Sequence, residues 1–498
     1  TPASNLITTQ KLGILENNSL VFDTSRKVYK EYAERFISLA PTPISFVALL
    51  EKSLKVFPYF CSEQLISKTF PYLLSTNNKE SSKEIQKTVN IILSRQEPTG
   101  EILLYPGYRN RNITNRFVSL YALNFLVEAK DRGFIVSKKS MELIASYIKN
   151  NFDNMNYLRE KSYALYLLTR MDIVTTPFLK KAHNELDQIK DTSLESLSRA
   201  YLAATYKLLK NNDKANELIK DAVFSDSLGG DYGIYYGMSQ RDAQLLFVLS
   251  KHFPVRAKDI DTKTLKKVFN RIGHLNTLNN AYYLLAIDAY SQFFKSIDIS
   301  KFIKVSEKID NKWKPFKKVN FKGGKISYSD KASEIKITSK SDLPLFYTFN
   351  LSGFNKSKVT AQSNGLEIFK QVLNEKGETI SEVKQGEQIT VEVTFRASER
   401  GELGNLVIAD LFPGGFELVN DDDNKAKGDN FKPDFIDARE DRILIYTTAN
   451  DSMKKVTYKL KATNVGSFAL PGALIEDMYN LQVKGLSGQS VIKVLPAD

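Results

Sequence analysis

The sequence predicts a multidomain chain of α and β structure, in which an α/α toroid is inserted into a β-domain and followed by a β-sandwich. Three observations predict it. The 498 residues are too many for one ordinary core, so about three domains are expected. Hydrophobic periodicity changes from alternation to a helical repeat near residue 42 and changes back near residue 296. From residue 366 onward the chain is a series of short alternating runs at the spacing of a sandwich.

Residues 1–41 hold short strand-like stretches (LGILENNSLVFD, YAERFISLAP) and form the first part of the β-domain. Residues 42–295 carry the toroid. Five segments there repeat a Tyr/Ala/Leu block at helical spacing, each with a small residue on its apolar face: Ala122, Ala164, Ala200, Ala243 and Ala281. Small residues let helices approach closely, and recurring helical hairpins suggest a closed ring. Residues 296–355 return to strands (KWKPFKKVNF, SEIKITS, LPLFYTFNLSGF) and read as the second part of the same β-domain. The polar stretch 355–365 reads as a linker, and 366–498 as the sandwich.

Composition narrows the function. The net charge of +13 permits anionic partners, but the lysines are scattered rather than clustered with aromatics, so no nucleic acid is expected. A single cysteine excludes an intrachain disulfide and any zinc site built on two thiolates, and no other metal or cofactor is expected. No apolar run reaches the ~20 residues of a membrane span. Thr1 carries no initiator Met or signal peptide, so the sequence reads as a mature fragment whose export signal lies elsewhere.

The cysteine sits in FPYFCSEQLISKTFP, residues 57–71. Cys61 and Gln64 are three apart, a spacing that meets across one helical turn. In a dry site a Cys61 thiolate could displace ammonia from the Gln64 amide and store the acyl group as an internal thioester. Glu63 would position the pair, while Phe57, Tyr59 and Phe60 would exclude water. Spacing alone leaves a second reading open: Cys61 as core, with Ser62 and Gln64 as ordinary residues of a helix start.

The surrounding strings bear on that choice. FPYFCSEQ resembles the Tyr-Pro-Tyr-Gly-Cys-x-Glu-Gln box of the bacterial alpha-2-macroglobulins, with Phe57 for the first Tyr and Phe60 for the Gly. YALNFLVEAKDRGF, YALYLLTR, GMSQRDAQLLFVL and NNAYYLLAIDAY are similar to that family's thioester domain. ADLFPGGFEL, REDRILIYTT and TNVGSFALPGALIEDMYN are similar to its C-terminal, receptor-binding-type macroglobulin domain. The resemblance implies a toroidal thioester domain inserted in a CUB-like β-domain, then a macroglobulin-like β-sandwich. It implies a protease trap rather than an enzyme: attacking proteases are captured covalently when a lysine amine opens the Cys61–Gln64 thioester. The bait region that triggers capture is expected outside these residues.

The resemblance also implies a periplasmic or cell-envelope location, lipid-anchored in the full-length protein. It further implies a role in host defence or colonisation, a peptidoglycan synthase as partner, and a monomer. Tyr105, in TGEILLYPGYRN, stands where the family has a Trp. Met478 and Tyr479 match a Met-Tyr string that covers the thioester in the family; as residues they read equally well as sandwich core. The family's complement-type members use a histidine near the position of NNFDNMNY (150–157), which has none here, and His183, His252 and His274 read as ordinary core or surface residues. Two readings compete with the trap: a scaffold without a thioester, and an α/α-toroid enzyme. The second lacks HExxH, Walker and GxSxG motifs, and Asp421–Asp423 read as a solvated loop.

Overall fold

The computed structural model describes residues 6–497 except 17, 26–27, 57–60, 75–78, 108–112, 190–194, 226–236, 271, 273–275, 295–296, 317–318, 320, 355–359, 400, 420–426, 430 and 481, and among these the side chains of 6–8, 53, 55–56, 113–115 and 238 are not described. Two compact units divide the chain: Gln10–Ser25 with Arg35–Asn350, called here the ring unit, and Thr1–Thr9, Arg26–Glu34 with Leu351–Asp498, the sandwich unit.

The ring unit opens with β1 (Leu6–Leu15), β2 (Ser19–Asp23) and β3 (Glu34–Ala40). Helices α1 (Val47–Val56), α2 (Ser62–Leu73), α3 (Lys79–Ser94), α4 (Ile113–Asp131), α5 (Lys138–Asn150), α6 (Leu158–Arg170) and α7 (Thr176–Asp187) follow. Then come α8 (Ser196–Leu208), α9 (Asn212–Lys220), α10 (Met238–His252), α11 (Pro254–Lys258), α12 (Thr262–Phe269) and α13 (Thr277–Ser291). The chain returns to strand in β4 (Ile303–Ile309), β5 (Lys312–Pro315), β6 (Lys325–Ser327), β7 (Glu334–Ser339) and β8 (Leu345–Phe354). Strands from both sides of the helical segment share each of two four-stranded sheets, ordered β1-β8-β3-β6 and β2-β7-β4-β5.

Helices α2, α4, α6, α8, α10 and α13 pack side to side in that order, and α13 closes back onto α2. The inner helices are buried almost all round; α8 hides Leu197, Ala200, Tyr201, Leu202 and Ala203 within two turns. Outer helices carry one apolar stripe, as in α12 with Leu265, Val268 and Phe269. Ala122, Ala164, Ala200, Ala243 and Ala281 are each 0 % exposed, which is the close approach their size permits. The ring is joined to the strands by Phe46, Phe269 and Phe346, whose centroids lie 5.4–6.2 Å apart, and by a 2.9 Å hydrogen bond from Thr348 Oγ1 to the Ser45 carbonyl.

Glu128 is 1 % exposed and accepts from Arg132 (2.5 Å), Arg170 (2.7 Å) and Lys251 (3.1 Å), tying α4, α6 and α10 together. Burial alone would raise its pKa, but Arg170, Lys251 and Arg132 outweigh it and hold the carboxyl below the usual range. A depressed folded-state pKa adds stability that is complete above the unfolded value and is lost as pH falls. The thermal midpoint of the ring unit is therefore expected to drop as pH falls below about 4.5. Glu128→Gln should lower the midpoint at pH 7 by about 1–3 kcal/mol equivalent and flatten that acid limb, as followed by circular dichroism between pH 7 and 3.

The sandwich unit contains β9 (Gln362–Asn364), β10 (Leu366–Leu373), β11 (Glu382–Lys384), β12 (Gln388–Ala397), β13 (Leu403–Leu411), β14 (Phe416–Leu418), β15 (Lys427–Gly428) and β16 (Phe435–Ala438). It is completed by β17 (Arg442–Ala449), β18 (Lys454–Ala462), β19 (Gly466–Leu470), β20 (Leu474–Asp477), β21 (Lys484–Leu486) and β22 (Ser490–Leu495). The sheets β10-β12-β18-β14 and β16-β17-β13-β20-β21-β9 enclose Ile368, Val393, Phe395, Ile408, Ile445 and Leu460. Inside this apolar core lies one polar knot. Lys370 of β10 donates to Asp410 of β13 at 2.5 Å and to the Pro471 carbonyl at 3.1 Å, while the Tyr458 hydroxyl of β18 donates to Asp410 at 2.7 Å. The Lys370 and Asp410 side chains are 3 % and 0 % exposed.

The stretch expected to be a linker differs. Residues 362–364 form β9, an edge strand paired with β21. All three of its residues are exposed, so no apolar alternation marks it. Residues 355–359, Asp421–Asp423 and His274 lie outside the described residues.

Candidate functional site

Helix α2 begins where Cys61 stands in an extended conformation (φ −63°, ψ 161°) as its N-cap. The Cys61 carbonyl accepts the first helical hydrogen bond, from Leu65 N–H at 2.9 Å. The first N–H groups of a helix have no partner within it. Here the Ser62 N–H is satisfied from outside, by the Leu104 carbonyl at 2.8 Å. Ser62 Oγ donates to the Leu103 carbonyl at 2.5 Å and accepts from Arg95 Nη1 at 3.0 Å. The segment 95–105 thus clamps the start of α2. Tyr105, the next residue after Leu104, is 6 % exposed.

Cys61, Glu63 and Gln64 are 1 %, 0 % and 1 % exposed, so the box is dry. Burial, then the charge of Glu63, pushes the Cys61 thiol well above the ordinary thiol range; the backbone N–H of Gln64, the charge of Arg95 and the N–H of Glu63 oppose the shift. No side-chain capping hydrogen bond of normal geometry forms at Cys61. A free thiol in such surroundings is protonated and a poor nucleophile.

Glu63 accepts hydrogen bonds from two helices, and Ser67 carries the link on to a third. Ser67 Oγ, one turn on in α2, donates to it at 2.6 Å, and Thr277 Oγ1 at the start of α13 donates at 3.2 Å. Ser67 Oγ also lies 2.9 Å from the Tyr121 hydroxyl of α4. Tyr121 begins a row of buried rings along the inside of the helical ring. Its centroid is 5.5 Å from Tyr282, whose hydroxyl is 3.3 Å from that of Tyr163; Tyr163 and Tyr166 flank Tyr201 at 5.0 and 5.3 Å. Burial raises the pKa of each of these tyrosines, so the row is neutral. Glu63 therefore anchors the turn that bears Cys61 and Gln64 to the ring.

Of the residues singled out from sequence, Cys61, Glu63, Gln64 and Tyr105 fall in this one region. Phe57, Tyr59 and Phe60 lie outside the described residues. Met478 and Tyr479 belong to the sandwich unit. Met478 is 1 % exposed and its N–H donates to the Asn405 carbonyl at 3.1 Å; Tyr479 N–H donates to Asp477 at 2.8 Å in a side-chain turn. Ser67, Arg95, Tyr121 and Thr277 were not singled out. Ser67 carries a legible signal, being four residues after Glu63. Residues 150–157 close α5 and form the short helical turn Phe152–Asn154. His183 Nδ1 lies 2.7 Å from the Tyr206 hydroxyl, and His252 Nε2 lies 2.9 Å from that of Tyr166. Burial, Lys251 and Arg170 press His252 down to about 3, so its half-buried imidazole is neutral. Among the described residues no group of three His, Cys, Asp or Glu side chains could hold a metal ion, and no helix is long and apolar enough to cross a membrane.

Comparisons with known proteins point to one family. Residues 365–480 match the bacterial alpha-2-macroglobulin MG10 domain. The chain is similar to the alpha-2-macroglobulin of Rickettsia conorii, 30 % identical over 523 residues, covering 99 % of the chain and 27 % of that protein. It is similar to the alpha-2-macroglobulin homolog of Yersinia pestis at 29 % identity, covering 100 % of the chain and 27 % of that protein. The chain thus spans about a quarter of the length of these curated relatives. Its fold is similar to native Escherichia coli alpha-2-macroglobulin from domain MG7 to the C-terminus, with a TM-score of 0.79 at 19 % identity, over 100 % of this chain and 83 % of that one. It is also similar to Salmonella alpha-2-macroglobulin reacted with methylamine, with a TM-score of 0.78 at 18 % identity, over 99 % of this chain and 34 % of that one.

Proposed function

The chain belongs to the bacterial alpha-2-macroglobulin family, and on that premise we propose that it carries the covalent-capture site of an endopeptidase inhibitor. The observation that carries the reading is the dry first turn of α2, where Cys61 and Gln64 stand three apart, Glu63 ties that turn to α13 and Ser67 ties it to α4. In this reading the Cys61 sulfur attacks the Gln64 side-chain carbonyl carbon, the carbon–nitrogen bond breaks, and ammonia leaves. The stored thioester is opened by an uncharged lysine amine of a protease. A nitrogen–carbon bond forms, the carbon–sulfur bond breaks, and the amine proton ends on the Cys61 sulfur. Burial favours that protonated thiol, which opposes the reverse reaction.

Residues 42–295 are then the thioester domain, 1–41 with 296–355 a CUB-like domain, and 366–498 a macroglobulin-like domain. Protease capture by the whole protein, a lipid-anchored periplasmic location and a peptidoglycan synthase partner rest on kinship. The Salmonella relative reacted with methylamine supports the choice of test. Methylamine is expected to release one titratable thiol per chain; a full equivalent of thiol before treatment and none gained afterwards would favour the scaffold reading.

Nucleophile choice gives a second test. With no histidine in residues 150–157, no acyl-imidazole route is proposed, so amines attack directly. Lysine has a pKa of about 10.4, so its competent fraction rises with pH. Labelling with equal concentrations of a biotinylated amine and a biotinylated alcohol should give mostly amide, faster at pH 8 than at pH 7. Comparable ester and amide yields would contradict direct attack.

A further inference from the structure

We propose that the ring unit has a second binding site, for a long-chain fatty acid, in the cavity formed by α8, α9, α10, α11 and α12. The cavity has a volume of about 1000 Å³, and Lys207 of α8 and Lys267 of α12 are among the residues that line it. That is the upper end of the range for pockets that enclose a small organic molecule. Its floor is largely aliphatic, with Ile219, Ala222, Leu249 and Ile260 joined by Phe224 and Phe253. Val255 at the mouth is 74 % exposed and Val223 is 48 % exposed, so apolar surface continues from the floor to the rim.

The charges select the sign of the ligand. Lys207, Arg256 and Lys267 line the cavity against one carboxylate, Asp259. Arg256 is fixed in place: its Nη2 donates to the Lys220 carbonyl at 3.0 Å and to the Ala222 carbonyl at 2.7 Å. His252, on the wall, is engaged by the Tyr166 hydroxyl at 2.9 Å and stays neutral, so it adds no charge. An aliphatic floor under a cationic rim fits a ligand with one anionic head and an apolar chain.

The site is separate from the box. Gln240 and Gln244, near the start of α10, hydrogen-bond to Tyr282 in the row that begins beside Glu63. His252 ends the same helix twelve residues after Gln240, roughly 18 Å along the axis. Fatty-acid binding and amine incorporation are therefore expected to be independent.

The experiment titrates a dansyl-labelled undecanoic acid into the whole chain and follows its fluorescence, with oleate and oleyl alcohol as competitors. Saturable one-to-one binding is expected, displaced by oleate at least about tenfold better than by the alcohol, and unchanged after methylamine treatment. Lys207→Glu with Lys267→Glu should weaken binding about tenfold or more, with an unaltered unfolding midpoint. Val255→Asp, at an exposed position that folding tolerates, should weaken it as well. Absence of saturable binding, equal competition by acid and alcohol, or full affinity in both variants would overturn the proposal.

Discussion

Cys61→Ala is expected to abolish amine incorporation outright while leaving the chain folded. The sulfur is the atom that would hold the acyl group, and the sequence contains no second cysteine to replace it. Structurally the change removes one buried atom beside the N-terminus of α2, where no side-chain capping hydrogen bond is lost. The cost to stability should be about 1 kcal/mol. Gln64→Glu should give the same loss of labelling, because a carboxylate has no ammonia to expel. Glu63→Ala acts differently. It leaves Ser67 and Thr277 without their shared acceptor, at a cost of about 1–3 kcal/mol, and should reduce the labelled fraction by displacing the turn. The readout is biotinylated-amine labelling by blot beside an unfolding curve for each variant. Labelling of Cys61→Ala at the level of the parent chain would place the acyl donor elsewhere.

Asp410→Ala should destabilise the sandwich unit by about 3–5 kcal/mol, the usual effect of stripping one partner from a buried ion pair. Lys370 would keep the Pro471 and Leu411 carbonyls for its ammonium, and Tyr458 would lose the acceptor of its hydroxyl. The double replacement Lys370→Met with Asp410→Leu should recover most of the loss, since no charge is then buried alone. Urea unfolding followed by near-ultraviolet circular dichroism checks both. With two units in the chain, transitions must be fitted separately. An Asp410→Ala curve that overlays the parent would mean the knot is solvated in solution.

The inner helices were legible because each carries its own repeat. Tyr/Ala/Leu spacing marked α4, α6, α8, α10 and α13 directly. The Cys61–Gln64 box located α2, the helix that lies between α13 and α4 in the ring. What holds the box was less visible. Tyr121 and Thr277 reach Ser67 and Glu63 from 54 and 214 positions away, and nothing in a single sequence reports such pairings. Lys370 did leave a trace. It interrupts the inward series Leu366, Ile368, Val372, and a lysine on the core side of a strand demands a buried acid. The string ADLFPGGFEL now has a physical reading: Asp410 closes the polar knot, Phe412 packs on Tyr458 at 5.8 Å, and a side chain at Gly415 would meet the Phe468 ring at 2.3 Å. Strand β9 stayed hidden because an edge strand with both faces exposed needs no apolar alternation.

Intact mass spectrometry of freshly purified chain, before and after methylamine, decides whether Cys61 and Gln64 are covalently linked. The expected result is a starting mass below that of the encoded sequence by one ammonia, a gain of one methylamine on treatment, and one thiol that appears only afterwards. A starting mass equal to the encoded sequence, with a full equivalent of free thiol on denaturation and no gain from methylamine, would contradict it.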